Sequence, residues 1–374
     1  MAVEIKLVRS KKELNQFIWF GINLYKDSKF ASIPLMMDDR LNLQKGKNPA
    51  LDFCESVYYL AYKNGKIAGR IAAFINPVAN QKWKQSFARF GWIDFIDDYD
   101  VSKALLDAAI AWAKSKEMTA IHGPLGFTDF DREGMLIEGF DRMGTLATIY
   151  NYPYYPQHLE RYGFVKSADW KEYLITIPKD FPEKYFRLAQ IVQEKYHLTP
   201  KKFTSRKELV DNYALKIFDL LGICYSELYG YTKLNEKQIK FYIKLYFTMF
   251  CLDTTSVVVD NEDNVVAFGI AMPSFTKALQ KAKGRLFPLG WFYLLRALKK
   301  NDLLDLYLMA VHPKYQNKGV NSIVFADIMR NTAKSGYKFA ESNPELETNI
   351  RMSSQWKNWE TENHKRRRVY IKEI

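Results

Sequence analysis

Residues 304–334, LDLYLMAVHPKYQNKGVNSIVFADIMRNTAK, contain the pattern that is most informative about the fold. Its apolar start predicts a strand over 303–311, and its end predicts a helix over 321–334. The short basic loop between them contains one glycine, Gly319. A loop that leads into a helix presents free main-chain N–H groups, and the helix dipole favours negative charge there. The sequence therefore predicts a phosphate-binding loop over 312–322, in which glycine lets the main chain approach the phosphate closely.

Length and composition indicate a globular protein of two domains. The chain has 374 residues, with 48% hydrophobic and 15% aromatic residues, which excludes a disordered chain. Its three cysteines stand far apart in no disulfide or zinc-binding pattern, and this predicts a reducing compartment. The N-terminal sequence lacks a hydrophobic signal core, and the longest apolar run, 286–295, is too short to cross a bilayer. We therefore expect a cytoplasmic protein without a transmembrane segment.

The net charge of +13 favours anionic partners. Nucleic acid, a membrane surface and a phosphorylated ligand all fit this charge, and so does a surface that is merely rich in lysine. The basic residues are spread along the chain, and the densest run is 365–368. Charge alone does not favour nucleic acid over the other partners, and it leaves the oligomeric state open.

Two successive series of predicted elements follow the same order. The first comprises strands at 2–9, 87–96, 119–123 and 171–177, a hairpin at 57–75, and helices at 10–26, 101–118 and 154–163. The second comprises strands at 198–204, 303–311, 337–342 and 367–373, a hairpin at 254–272, and helices at 206–229, 235–250, 321–334 and 345–359. Two prolines interrupt the pattern at 175–184. The sequence therefore predicts one domain over 1–178 and a second over 179–374.

This order of elements resembles that of the GNAT superfamily, the acyl-CoA-dependent N-acyltransferases. The pyrophosphate loop of that superfamily reads Gln/Arg-x-x-Gly-x-Gly/Ala, and residues 316–321 match its first two anchors, Gln316 and Gly319, but place Asn321 at the third. The resemblance implies an α/β fold of the α+β type, with two tandem GNAT-like domains, each a mixed, mostly antiparallel sheet flanked by helices. It also implies that acetyl-CoA or another acyl-CoA binds to Met309, Ala310, Val311, Gln316, Asn317, Lys318, Gly319, Val320, Asn321 and Ser322.

The first half resembles the same fold more loosely. Its end, 158–177, looks like a GNAT ending, in which a short helix runs into Gly-Phe and then into a strand. Its phosphate loop is missing, because the strand at 87–96 leads directly into Asp97, Asp98 and Asp100. Carboxylates at a helix N-terminus satisfy the helix dipole and repel a pyrophosphate. We therefore expect the first domain to have lost CoA binding, although aspartates are also ordinary capping residues.

The candidate chemistry follows from what acyl transfer to an amine requires, namely an oriented amine, a base and an acid for the leaving thiolate. Glu341 is the best candidate base nearby, although its position favours a capping or surface carboxylate slightly. Asn343, Asn349 and Trp356 are the candidate substrate-binding residues. Many GNAT enzymes carry a tyrosine where Trp356 stands, and an indole cannot protonate a thiolate at neutral pH. The histidines show no metal-binding spacing, so no metal site is predicted.

Two further segments have alternative interpretations. The segment 123–140, rich in glycine and acidic residues, fits either a substrate wall or a plain long loop. The segment 275–300 has an aromatic and aliphatic centre between basic residues. It fits a buried helix packed on the sheet, which we favour, an interfacial membrane helix, or a wall for a fatty acyl chain.

These observations lead to one expected function and several alternatives. The expected function is acyl-CoA-dependent N-acyl transfer to a small-molecule amine by the second domain, with acetyl-CoA as the first candidate donor. A non-catalytic protein that binds an anionic ligand or nucleic acid is the alternative from another class, and a long-chain N-acyl amino acid synthase is the alternative among enzymes. A Fem-type aminoacyl-tRNA-dependent ligase is not favoured, because no heptad-rich stretch supplies the helical arm of such ligases.

Overall fold

The fold is described from a computed structural model, which covers residues 2–246, 250–333 and 335–374. The elements of the first half are β1 (Glu4–Leu7), α1 (Lys11–Tyr25), α2 (Met36–Leu43), β2 (Glu55–Lys63), β3 (Lys66–Ile75), α3 (Pro77–Trp83), β4 (Phe87–Phe95), α4 (Tyr99–Ser115), β5 (Ala120–Gly123), β6 (Met135–Glu138), α5 (Tyr154–Tyr162) and β7 (Val165–Thr176). The fold class predicted from the sequence is confirmed.

The second half repeats the order of strands and helices. Its elements are α6 (Glu183–Tyr196), β8 (Thr199–Pro200), α7 (Arg206–Tyr225), α8 (Glu236–Tyr246), β9 (Thr255–Val259), β10 (Val265–Pro273), α9 (Thr276–Ala282), α10 (Gly290–Lys299), β11 (Leu303–Val311), α11 (Asn321–Thr332), β12 (Phe339–Ser342), β13 (Glu345–Leu346), α12 (Ile350–Ser354) and β14 (Thr361–Glu373). The predicted helices over 235–250 and 321–334 extend into residues 247–249 and 334, which lie outside the described residues.

The predicted helix over 345–359 is wrong at its start. Glu345–Leu346 forms the short strand β13 instead, and the helix α12 begins only at Ile350. Asn349 is the N-cap of α12, and its side chain accepts a hydrogen bond from the Met352 N–H. The strand forms because β7 offers a free edge here, where Glu345 pairs with Lys171 and Leu346 with Trp170. Tertiary pairing therefore overrides the local helical pattern at this point.

One continuous sheet runs through both halves, in the order β1-β2-β3-β4-β5-β14-β7-β12-β11-β10-β9-β8. Most neighbours are antiparallel, and the parallel pairs are β4 with β5 in the first half and β11 with β12 in the second. In each parallel pair, a crossover helix, α4 or α11, connects the first strand to the second. The strands β6 and β13 lie off this path, paired with β14 and β7.

The two halves exchange their last strands. The strand β14, which belongs to the second half in chain order, pairs with β5 of the first half. The strand β7, which ends the first half, pairs with β12 of the second half and with β14. Each half therefore completes the sheet of the other, and hydrogen bonds cross the predicted boundary at residue 178.

Buried ion pairs hold the exchanged strands together. Lys365 and Arg367 on β14 and Glu172 on β7 are almost fully buried, with at most 1% of each side chain exposed. The Lys365 Nζ lies 2.9 Å from a Glu172 oxygen and also contacts Glu341 on β12. Burial alone would raise the pKa of Glu172, but Arg367 and Lys365 hold it below its ordinary value. Removing one partner would leave an uncompensated buried charge, which costs about 3–5 kcal/mol.

The densest basic run of the sequence is thus largely occupied inside the fold. The outward-facing members, Arg366 and Arg368, both bind Asp169, at 2.7 Å and 2.8 Å. Burial raises the pKa of Asp169, but the hydrogen bonds and charge of Arg368 outweigh this and lower it. These four cations serve strand pairing, and they do not form an exposed patch for nucleic acid.

Candidate active site

A cavity of about 950 Å³ lies between the two halves of the chain. The second half contributes the end of β11, the loop before α11 and the segment after β12, while the first half contributes parts of α1, β4 and the loop after β5. Of the predicted site residues, the cavity is lined by Met309, Ala310, Val311, Gln316, Asn317, Gly319, Val320, Asn321, Asn343, Asn349 and Trp356. Lys318, Ser322 and Glu341 are not among its lining residues.

The cavity opens where the parallel strands β11 and β12 diverge. Their pairing runs from Leu303 with Phe339 to Leu306 with Ser342. Beyond it, the main-chain N–H and the side-chain Nδ2 of Asn343 bind the carbonyls of Leu306 and Tyr307, at 3.1 Å and 2.9 Å, and close the end of the pairing. The rest of β11 keeps its other neighbour, β10, but has no strand on this side. An open strand edge therefore faces the cavity.

This edge carries main-chain groups that are available to a ligand. Side chains of α7 cover two of its carbonyls, because the Tyr225 hydroxyl donates to Met309 O at 3.1 Å and the Cys224 Sγ to Val311 O at 3.3 Å. The N–H groups of Met309 and Val311 point to the same side as their carbonyls, as in any strand. Because the His312 N–H donates to Val266 O at 2.8 Å, the alternation along the strand directs the N–H groups of Met309 and Val311 away from β10.

The loop between β11 and α11 contains two residues with left-handed backbone. Asn317 and Gly319 have positive φ angles of 59° and 77°. Among the residues that the structure describes, the N–H groups of 317–321 donate to no protein acceptor. The Gln316 side chain holds the loop in place, with its Nε2 donating to Val311 O at 3.0 Å and its Oε1 accepting from Arg351 at 3.1 Å. The N-terminus of α11 adds its dipole at the same place.

The two remaining loop residues lie beside the cavity. The Lys318 ammonium is exposed and lies 5.4 Å and 5.6 Å from the ring centres of Tyr196 and Tyr315. Ser322 is the second residue of α11. Its hydroxyl oxygen has no hydrogen-bond partner among the described residues. Their predicted roles in acyl-CoA binding stay predictions.

Glu345 is the carboxyl group that faces the cavity at the divergence of the strands. Only 7% of this residue is exposed. Its Oε1 accepts a hydrogen bond from the Trp356 Nε1 at 2.7 Å, and its Oε2 has no partner within the described residues. Burial raises the pKa of Glu345 to about 7, against the opposing effect of the Trp356 hydrogen bond. A carboxyl group with this pKa is about half ionised at neutral pH, which suits a general base.

Glu341, the predicted base, occupies a different environment. It is 3% exposed, its carboxylate pairs with the Lys365 ammonium, and the His364 Nε2 lies 3.4 Å away. These contacts place it in the ion-pair network that joins the exchanged strands. Its catalytic role stays a prediction. At the place where β11 and β12 diverge, the carboxyl group that lines the cavity is that of Glu345.

The predicted substrate-binding residues have structural contacts at the cavity wall. Trp356 is 4% exposed and orients Glu345 through its indole N–H. Asn349 accepts from the Met352 N–H at 3.3 Å, so its oxygen is engaged as a helix cap while the residue still lines the cavity. Asn343 donates from its amide nitrogen to Tyr307 O and also lines the cavity.

A second group of carboxyls comes from the loop after β5. Asp129, Asp131 and Glu133 all line the cavity, so part of the segment 123–140 forms a cavity wall. Asp131 accepts from the N–H groups of 127 and 128 through Oδ2, and its Oδ1 has no partner within the described chain. Burial raises the pKa of Asp129 to about 7, that of Asp131 to about 6, and that of Glu133 well above its ordinary value. The buried Arg89 guanidinium opposes all three shifts.

The equivalent place in the first half is filled by the chain itself. The strands β4 and β5 pair only from Phe87 with Ala120 to Arg89 with His122. Beyond this point, Leu125 and Phe127 are buried beside β4, and the Leu125 N–H donates to Phe90 O at 2.8 Å. A Cβ atom added at Gly91 would lie 2.3 Å from Leu125 O, so no room remains along this edge.

The start of α4 is acidic, as the sequence predicts. Asp98 caps the helix by accepting from the Asp100 N–H at 3.1 Å, and it also pairs with Lys63. Asp97 lies 3.3 Å from the His158 Nε2. The helix N-terminus is therefore satisfied by side chains, in contrast to the start of α11, which has no side-chain cap.

Sequence reasoning missed Glu345, Tyr225 and Asp131. Glu345 was hidden by the helix predicted over 345–359, and the signal that pointed to it is Asn343-Pro344, since the residue before a proline prefers extended backbone. Tyr225 lies on α7, far along the chain from β11, and nothing local relates the two. Asp131 belonged to a segment that was recognised, but its burial depends on contacts with distant elements.

No model of a known protein family matches the chain. Two curated relatives are both 26% identical over nearly the whole chain. Protein YghO of Escherichia coli K12 matches over 99% of this chain and 95% of its own length. The bacterial ceramide synthase of Caulobacter vibrioides matches over 98% of this chain and 96% of its own length.

Solved structures show the fold more directly. A tandem GNAT protein from the clavulanic acid biosynthesis pathway has a TM-score of 0.58, covers 99% of this chain and 98% of its own, and is 11% identical. A GCN5-related N-acetyltransferase from Sphaerobacter thermophilus has a TM-score of 0.52, covers 99% and 95%, and is 9% identical. The chain has the tandem GNAT fold, as its resemblance to that superfamily implied.

Proposed function

We propose that this protein is an acyl-CoA-dependent N-acyltransferase whose reaction takes place where β11 and β12 diverge. The observation that carries the proposal is Glu345, a buried carboxyl group with one unpartnered oxygen and a pKa raised to about 7, at the wall of the cavity. A base that receives the proton of an amine requires these properties.

The open edge and the loop provide a binding surface for the acyl donor. The N–H groups of 317–321 and the dipole of α11 would hold its pyrophosphate, and the left-handed backbone at Gly319 brings these groups together without a side chain in the way. The N–H groups of Met309 and Val311 would bind the amide carbonyls of its pantetheine arm. A thioester bound along this edge supplies an acyl group whose leaving thiol has a pKa near 8.5.

The residues around Glu345 then have defined tasks. The ionised carboxylate accepts the proton of the attacking amine, and the Trp356 N–H fixes the direction in which it points. Tyr225 stays protonated, because burial raises its pKa and the charges of Asp129 and Glu345 add to the shift. Its hydroxyl, now bound to Met309 O, is a hydrogen-bond donor within reach of a thiolate at this edge.

The cavity favours a donor with a longer chain than acetyl. Its volume of about 950 Å³ is at the upper end of what ligand pockets enclose. Apolar side chains from both halves line it, including Ile33 and Leu35 before α2, Phe250, and Leu286 and Leu294 near α10. One of the two curated relatives is named a ceramide synthase, and a ceramide is a fatty amide. We therefore propose a fatty acyl-CoA as donor ahead of acetyl-CoA, the first candidate from the sequence, which stays a prediction.

The acidic wall gives the acceptor amine a place to bind. An amine is cationic at neutral pH, and the buried carboxyls of Asp129 and Asp131 gain a partner when a cation enters. Tyr225 lies near both groups of carboxyls, since the charges of Asp129 and of Glu345 each raise its pKa. The amine would thus bind at the loop after β5 and lose its proton to Glu345.

The experiment uses the full chain, because the halves share strands. Acetyl-, octanoyl- and palmitoyl-CoA are each combined with a panel of amino acids, aminoglycosides and long-chain amines, and the N-acyl amide is detected by mass spectrometry against a blank without amine. We expect amide from a fatty acyl-CoA and at least one amine. Binding of acyl-CoA without amide from any amine, at neutral and at alkaline pH, would instead identify a non-catalytic binding protein.

A further inference from the structure

The outer face of α10 and the turn before it expose large apolar side chains. The exposed fractions are 72% for Phe287, 54% for Leu289, 44% for Trp291, 46% for Phe292 and 52% for Leu295. We call these five residues the apolar patch. On the helix itself, residues 291, 292 and 295 follow the spacing of a single face, so they point in one direction. Contiguous exposed apolar surface of this kind marks an interaction site.

The opposite face of α10 packs against the protein. Leu294 and Leu298 contact the apolar core of the second half, and the preceding helix α9 buries Ala278 and Leu279. The core packing predicted for the segment 275–300 is therefore correct for α9 and for the inner face of α10. It does not extend to the apolar patch, which no other described element covers.

Basic residues flank the apolar patch along the chain, and two of them, Lys277 and Lys283, pair with Asp302 and Asp27 from outside the segment. The segment 275–300 contains five lysines and two arginines and no aspartate or glutamate. Arg285, Arg296, Lys299 and Lys300 are exposed, and within the described chain none of them forms an ion pair. Arg296 and Lys299 lie on the exposed face of the helix, after Leu295 in the chain. Aromatic and aliphatic side chains at the centre of a basic ring match the apolar interior and the anionic headgroups of a lipid surface.

The apolar patch also borders the cavity. Leu286 and Leu294, whose neighbours in sequence form the patch, line the cavity from the inside. Within the described residues, no helix is long and apolar enough to span a bilayer, and α10 itself has ten residues. A helix of this length lies along a surface and does not cross it.

We propose that the apolar patch and its basic ring dock this protein on an anionic lipid bilayer surface. The apolar side chains enter the boundary between headgroups and acyl chains, while the basic residues bind the anionic headgroups. A second copy of the chain fits less well, because the basic residues around the patch of one copy repel those of another. Docking does not depend on acyl transfer, and it would bring the cavity wall at 286 and 294 next to the membrane.

The test measures flotation of the full-length protein with vesicles of phosphatidylcholine alone and with vesicles that also contain phosphatidylglycerol. We expect binding to the anionic vesicles that weakens as salt is added. The double variant Trp291→Ser/Phe292→Ser should lower the partition coefficient on the order of tenfold or more. The variant Arg296→Glu/Lys299→Glu should reduce binding to anionic vesicles and leave the weak binding to neutral vesicles unchanged.

The matched control is Leu188→Ser/Ile191→Ser on α6. These two residues are 46% and 51% exposed, which is close to the values of Trp291 and Phe292. The control should bind vesicles like the unaltered protein, and circular dichroism should show that all variants fold. Equal binding of the patch variant and the control, no binding of the unaltered protein, or dimers that dissociate only in the patch variant would overturn the proposal.

Discussion

The two halves of the molecule treat the same junction differently. In the first half, three residues, 96–98, join β4 to α4, and aspartates cap the helix. In the second half, nine residues, 312–320, join β11 to α11, and the helix start has no side-chain cap. The repeated fold thus presents one helix N-terminus that is satisfied by its own carboxylates and one whose N–H groups are available. We therefore propose the second helix N-terminus, and not the first, as the place where an anion binds.

The space between the diverging strands differs in the same way. Beside β4 it is filled by Leu125 and Phe127, whereas beside β11 it opens into the cavity. The loop that fills the first space continues into Asp129 and Asp131, which line the cavity. The first half is therefore more than a copy of the fold that is expected to have lost CoA binding. The space beside its own strand is filled, and its loop after β5 supplies a wall of the cavity that the second half also lines.

The largest effect is expected from Glu345→Gln. The glutamine amide has nearly the same shape and can still accept the hydrogen bond from Trp356, but it cannot accept the proton of the amine. We therefore expect kcat to fall roughly 10²–10⁴-fold while the affinity for acyl-CoA stays unchanged. The rate of the unaltered protein should fall as pH drops below about 7, because protonation removes the base, and the variant should lose this dependence. Steady-state kinetics over a pH series measures both.

Glu341→Gln is the matched comparison, with the same change four positions earlier. It removes a buried partner of Lys365, so we expect a lower melting temperature and a kcat/KM pH profile of unaltered shape. If Glu341→Gln abolished the pH dependence and Glu345→Gln did not, Glu341 would be the base after all.

A smaller effect, on binding, is expected from Gly319→Glu. The side chain would be forced into a left-handed backbone and would place a negative charge where the pyrophosphate is proposed to bind. The Kd for acyl-CoA should rise about a hundredfold or more, equivalent to roughly 3 kcal/mol. Titration calorimetry measures it on the full chain.

The control for backbone strain is Gly65→Glu in the hairpin between β2 and β3. Its φ of 73° is close to that of Gly319, and a Cβ atom there meets nothing within 4 Å. Normal acyl-CoA affinity in Gly319→Glu, with an intact circular dichroism spectrum, would mean that the phosphate does not bind at this loop.

Trp356→Phe should shift the pH profile only modestly. Its indole N–H stabilises the ionised form of Glu345 and so lowers the pKa of that group. Without it the pKa rises, and the acidic limb of kcat/KM moves to higher pH by less than about one unit. At pH 7 the rate should drop a few-fold and recover at alkaline pH. The control Trp359→Phe removes an indole stacked on Tyr185 and should leave the pH profile unchanged. An equal shift in both variants would show that Trp356 does not act on Glu345 at the site.

The smallest effect is expected in the first half. Asp97→Asn/Asp98→Asn/Asp100→Asn removes the carboxylates at the start of α4 but keeps a good helix cap. Since Leu125 and Phe127 still fill the space beside β4, we expect calorimetry to give one acyl-CoA per chain, as in the unaltered protein. A second binding event in this variant would show that charge alone silences the first half.

The local parts of this structure could be predicted from the sequence. The strand, loop and helix around Gly319 depend on neighbouring residues, so their pattern is visible in one stretch of chain. The strand exchange is not, since the basic residues of β14 show their meaning only beside Asp169 and Glu172 of β7. Glu345 was missed for the same reason, because β13 exists only through its pairing with β7. The filled space beside β4 likewise depends on packing between distant segments.

The most direct measurement is a crystal structure of the full chain with a non-hydrolysable fatty acyl-CoA analogue. We expect one ligand per chain, with its pyrophosphate on the N–H groups of 317–321. Its pantetheine arm should lie along Met309 and Val311, and its carbonyl carbon should lie near Glu345. The fatty chain should continue into the cavity between the halves. A ligand at the start of α4, or one bound outside the divergence of β11 and β12, would contradict the assignment of the site to the second half.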